Sequence, residues 1–75
     1  MRLDHIAIAV RSLDEALPFY TEALGLTCTG QEIIAEQGVR LAMLPVGEGR
    51  LELLEPLSEN SPVGRFLARR GEGLH

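Results

Sequence analysis

The chain of 75 residues contains no lysine, no tryptophan, a single cysteine and only three aromatic side chains, Phe19, Tyr20 and Phe66. Each shortage excludes something. Cys28 alone cannot form an internal disulfide or a cysteine-pair metal site, and it is compatible with a reducing compartment. All seven strong cations are arginines against a formal net charge of −4. No basic stripe with interleaved aromatics is therefore available to a nucleic acid. No apolar run is long enough to cross a bilayer, and the N-terminus has no signal-like character. The expectation is a cytoplasmic protein with neither nucleic acid nor membrane as partner. With so few aromatics the core must rest on Leu, Ile, Val and Ala, and a chain this short buries only a thin one without help.

What is present begins with a strand. Leu3 to Val10 carries β-branched residues, no Pro or Gly, and side chains that alternate faces. Ile6, Ile8 and Val10 make one apolar face, and Leu3, His5, Ala7 and Ala9 the other. Ser12-Leu13-Asp14-Glu15 reads as a capping box, with Leu13, Ala16, Leu17, Tyr20, Ala23 and Leu24 at helical spacing and Gly25 placed to stop the helix. Pro18 falls inside that helix and predicts a kink or a tightened first turn. Thr27 to Ala35 reads as a second strand, interrupted near Gly30. A turn at Glu36-Gln37-Gly38 leads to a third strand, Val39 to Val46. Gly47-Glu48-Gly49 is a tight hairpin connection into a fourth strand, Arg50 to Glu55, ended by Pro56. Ser61-Pro62 then caps and opens a short helix through Val63, Phe66 and Leu67, stopped by Gly71. Arg65, Arg69 and Arg70 form the only local positive cluster. They suit that helix's C-terminal half, and guanidinium groups could also meet phosphates.

Two residues stand out chemically. His5 faces a space lined by Ala7 and Ala9, which suits the wall of a cavity; the plain alternative is a half-buried His satisfied by a backbone carbonyl. Glu52 is a carboxylate in the middle of a leucine-rich strand, and burial there would demand a cation, a donor or water. Its plain alternative is a solvent-facing residue paired with Arg40 or Arg50. Together an imidazole and a carboxylate on separate strands form part of a divalent-metal site with N and O donors, too few to close one alone.

The stretch Asp4-His5-Ile6-Ala7-Ile8-Ala9-Val10, followed by Ser12-Leu13-Asp14-Glu15-Ala16, Phe19-Tyr20 and Leu24-Gly25-Leu26, resembles the opening module of the vicinal oxygen chelate (glyoxalase) superfamily. Glu36-Gln37-Gly38-Val39-Arg40, Leu51-Glu52-Leu53-Leu54-Glu55-Pro56-Leu57, and the run from Glu59-Asn60-Ser61-Pro62-Val63 through Phe66-Leu67 to Gly71-Glu72-Gly73-Leu74-His75 are similar to the methylmalonyl-CoA epimerases within it. The resemblance implies an α+β fold: one βαβββ module with a curved mixed sheet in residues 1–57, then a helical connection in 58–75 leading to a second module. It implies His5 as the first metal ligand and Glu52 in the position of a second, with the remaining His and Glu ligands in the second module. His75 matches the non-ligand member of a His-His pair, aligning with Asp4.

The implied function is an isomerase, a metal-dependent epimerase of methylmalonyl-CoA working through an enolate on a divalent ion such as cobalt, manganese, zinc or nickel. An acyl-CoA is the expected substrate, and a homodimer or pairing with a second βαβββ module the expected assembly. One departure stands in the third strand, where some epimerases carry a catalytic Glu and this chain has Leu41, so no catalytic residue is assigned. The competing readings are a glyoxalase-like lyase and a non-catalytic small-molecule-binding or dimerisation module of the same fold.

Overall fold

The first strand, β1 (His5–Ala9), pairs in parallel with β4 (Gly49–Pro56), a pairing that needs a crossover, and the helix that follows β1 supplies part of it. The computed structural model describes residues 5–74, with only the backbone of Leu74. The readings that involve Leu3, Asp4 and His75 lie outside the described residues. Helix α1 (Leu13–Pro18) starts where Ser12, in extended conformation, accepts the Glu15 N–H on its hydroxyl at 3.3 Å. A second cap comes from far along the chain: the Glu55 carboxylate accepts the Leu13 N–H at 3.2 Å.

Pro18 acts differently from the expected kink alone. The Phe19 N–H turns back to the Ala16 carbonyl, and the next five residues, Phe19–Ala23, widen into a π turn. Proline has no N–H to give the Asp14 carbonyl, and its ring crowds that oxygen, so the spiral loses its regular register there. Leu24 N–H to Phe19 carbonyl at 3.2 Å and Leu26 N–H to Tyr20 carbonyl at 3.0 Å close the widened turn. Gly25 ends it at φ 70°, where a side chain would be strained.

Strand β2 (Gly30–Ile34) begins three residues later than the alternation at Thr27 suggests. Only Thr29 N–H, bonded to the Met43 carbonyl at 2.9 Å, extends the ladder backwards. Strand β3 (Val39–Val46) runs over the expected residues, and Gly47-Glu48 forms the two-residue turn into β4. Helix α2 (Pro62–Arg70) has Ser61 as N-cap, its hydroxyl accepting the Gly64 N–H at 3.1 Å and donating to the Ser58 carbonyl at 2.8 Å.

The sheet order is β2-β3-β4-β1-β5, mixed as expected. Its fifth member, β5 (Gly73–Leu74), pairs antiparallel with β1 and is absent from the expected element order. Two residues are too short to leave an alternation pattern. The two faces are dressed differently. On one, Leu44, Leu53, Ala42 and Val10 pack beneath Leu13 of α1, with Leu17 and Tyr20 beside them. On the other, Ala9, Val39, Leu41 and Leu54 pack against Val63 and Leu67 of α2. Helix α2 thus lies back over the sheet and covers one end of the face that carries His5. The other end stays open.

Candidate metal and substrate site

Register decides which side chains meet at the open end. Across the β1–β4 seam His5 is the partner of Arg50, Ala7 of Glu52 and Ala9 of Leu54. Side chains two apart on a strand share a face, so His5, Arg50 and Glu52 emerge on the same side. The same row continues through Met43 to Gly30, and the neighbouring one through Leu54 and Leu41 to Glu32. Apart from Ala9 and Gly30, these residues line a concavity of about 740 Å³, which Pro62 and Val63 of α2 also border.

His5 and Glu52, the two residues singled out as ligands, are therefore brought together on one cavity wall. His5 is exposed to that space, and Ala7 between the two adds only a methyl group. Glu52 is more sheltered, its side chain 16% exposed, and its Oε2 accepts the Arg50 Nε–H at 3.0 Å. Of the two cations the sequence offered, Arg50 is the partner; Arg40 stands opposite Glu55, with the odd-numbered β3 residues Val39, Leu41 and Met43 on the cavity side. That bond engages one carboxylate oxygen and leaves Oε1 for another partner. Among the described residues no group of three or more His, Cys, Asp or Glu side chains could hold a metal ion by itself.

Leu41 is 5% exposed and sits in the cluster with Leu54, Val63 and Leu67. It is a packing residue under α2. Three lining residues of the same cavity escaped the sequence reading: Arg50, Glu32 and Glu36. Alternation in β4 held the signal for Arg50, since it shares the parity of Glu52. Nothing in the sequence told which face the outer strand β2 would present. Arg65, Arg69 and Arg70 are exposed on α2, the last two in its final turn, as helix electrostatics would have them. No helix among the described residues is long and apolar enough to cross a membrane.

Residues 4–75 match the model of the glyoxalase/bleomycin resistance protein/dioxygenase superfamily. An uncharacterized Bacillus subtilis protein, YqjC, is 50% identical over 99% of this chain and 53% of its own length. The crystal structure of a hypothetical protein from Bacillus halodurans is 53% identical with a TM-score of 0.96, over 99% of this chain and 54% of that one. A structure of Streptomyces coelicolor methylmalonyl-CoA epimerase in complex with 2-nitronate-propionyl-CoA is 44% identical with a TM-score of 0.94, over 100% of this chain and 56% of that one. The chain spans about half the length of the relatives it matches.

Proposed function

The chain belongs to the glyoxalase/bleomycin resistance protein/dioxygenase superfamily, and from that we propose that it is the metal-binding first half of an epimerase acting on methylmalonyl-CoA or a close 2-carboxyacyl-CoA. The observation that carries this is the convergence of His5 and Glu52 on one wall of an open concavity, in a chain 44% identical to a methylmalonyl-CoA epimerase. The donor set fits a divalent ion: one imidazole nitrogen, one carboxylate oxygen not engaged by Arg50, and no bulky neighbour at Ala7. Cobalt, manganese, zinc and nickel all accept such N and O donors.

His5 and Glu52 would hold the ion, and the missing ligands would come from a second βαβββ module, reached through residues 58–75 or supplied by a partner copy. A divalent ion there supplies Lewis-acid stabilisation of the charge that develops on the substrate oxygens as the α-proton leaves. Glu52, tied through Oε2 to Arg50, keeps a fixed carboxylate plane toward the cavity. Leu41 cannot exchange a proton; this chain places Glu32 and Glu36 on the same concavity, and the base proposed here is a carboxylate of the second module. Val63, a buried residue of α2, makes the end of the concavity away from His5 apolar, which leaves the β1–β4 seam as the polar end for the substrate's charged groups.

The test is the whole protein with methylmalonyl-CoA in deuterated water, followed by proton NMR and by chiral resolution of the product. Metal-dependent loss of the α-proton signal together with inversion is expected. Turnover of a glutathione hemithioacetal with no action on methylmalonyl-CoA would replace this reading by a lyase.

A further inference from the structure

His5 and Arg50 together line the main concavity and two smaller hollows beside it, because they are partners across the β1–β4 seam. Among the described residues Arg50 is the only arginine or lysine on the wall of the main concavity, which also carries Glu32, Glu36 and Glu52. With three carboxylates against one guanidinium on that wall, a divalent ion between His5 and Glu52 would only balance the charge, so an anionic ligand there needs a side-chain cation as well.

Arg50 has the capacity to serve as one. Its bond to Glu52 uses Nε–H, one of the five donors of the guanidinium fork. Half of its side-chain surface is open, against 16% for Glu52. A guanidinium tethered along its Nε edge has lost much of the freedom that makes a free arginine a poor clamp, and its Nη donors suit a planar carboxylate.

We propose that Arg50 is the binding residue for the free carboxylate of a 2-carboxyacyl thioester, positioned by Glu52, and that it sets the preference for such substrates over simple acyl thioesters. This rests on the functional reading above. Glu52 then has two tasks on two oxygens: Oε2 orients Arg50, and Oε1 is left for the ion.

The experiment compares malonyl-CoA with propionyl-CoA, which differ by a carboxylate in place of a methyl group. Their affinities are measured by calorimetry on the whole, metal-saturated protein. The wild type should favour malonyl-CoA. Arg50→Gln should weaken malonyl-CoA by roughly tenfold or more while propionyl-CoA stays within about twofold, as expected for loss of a forked carboxylate contact. Arg50→Lys should restore part of the preference, because a point charge replaces the fork. An Arg50→Gln protein that keeps the wild-type ratio of the two affinities, including one in which both fall together, overturns the assignment. If the wild type epimerises methylmalonyl-CoA and only that ratio fails to move, the Arg50 inference fails alone. A wild type without epimerase activity would instead remove the functional reading beneath it.

Discussion

Ala7 and Glu52 are register partners across the parallel β1–β4 seam, and that pairing is why His5 and Glu52 share a wall. A slip of one residue would send Glu52 to the α1 side, among Leu13, Leu44 and Leu53. The methyl group of Ala7 also leaves the space between the two donors open. Ala7→Leu should fill it: we expect metal affinity to drop by roughly tenfold or more through lost geometry, with an overpacking cost of about 1 kcal/mol. Calorimetric metal titration beside urea unfolding checks both.

His5 and Glu52 should differ as ligands. His5→Ala removes the nitrogen donor at an exposed position, so metal affinity and α-proton exchange should be lost with stability within about 0.5 kcal/mol of wild type. Glu52→Gln keeps one oxygen that can coordinate, while its NH2 group cannot accept from Arg50, so a milder loss of metal binding is expected together with loss of the Arg50 tether. Equal loss from both variants would mean that the carboxylate charge, not the oxygen, matters.

Leu41 should act through packing alone. It is buried with Leu54, Val63 and Leu67, so Leu41→Ala should cost about 3 kcal/mol of stability. Under conditions where the variant is folded, α-proton exchange per active site should remain near the wild-type rate. A specific collapse of exchange in a folded variant would give Leu41 a place at the reacting atoms.

The two helices depend on remote and local caps. Glu55→Ala removes the acceptor for the Leu13 N–H and should cost about 1 kcal/mol. Ser61→Ala removes both the acceptor for the buried Gly64 N–H and the donor to the Ser58 carbonyl, so it should cost more, about 2 kcal/mol. Denaturant midpoints at constant slope would show this order.

Much of this architecture was legible because alternation and capping are local. Ser12 and Ser61 announced both helices, and parity alone put His5 with Ala7 and Glu52 with Arg50. What stayed hidden is set by distant partners. Glu55 as the cap of α1 depends on how β4 lies against Leu13. The burial of Leu41 depends on α2 folding back over the sheet, which residues 58–75 do not announce. The π turn after Pro18 is one of several ways a helix can absorb a proline, and β5 is too brief to leave a pattern. The choice between Arg40 and Arg50 needed only the parity of β4, and the pairing followed it.

One ion held between His5 and Glu52 is what the proposed chemistry requires. The most direct measurement is anomalous diffraction from crystals of the whole protein loaded with cobalt. An anomalous peak roughly 2.0–2.2 Å from a His5 nitrogen and from a Glu52 oxygen, the range for such donors on an ion of this size, is predicted. A peak bound elsewhere, with His5 and Glu52 both free of it in a fully loaded and active protein, would contradict the account.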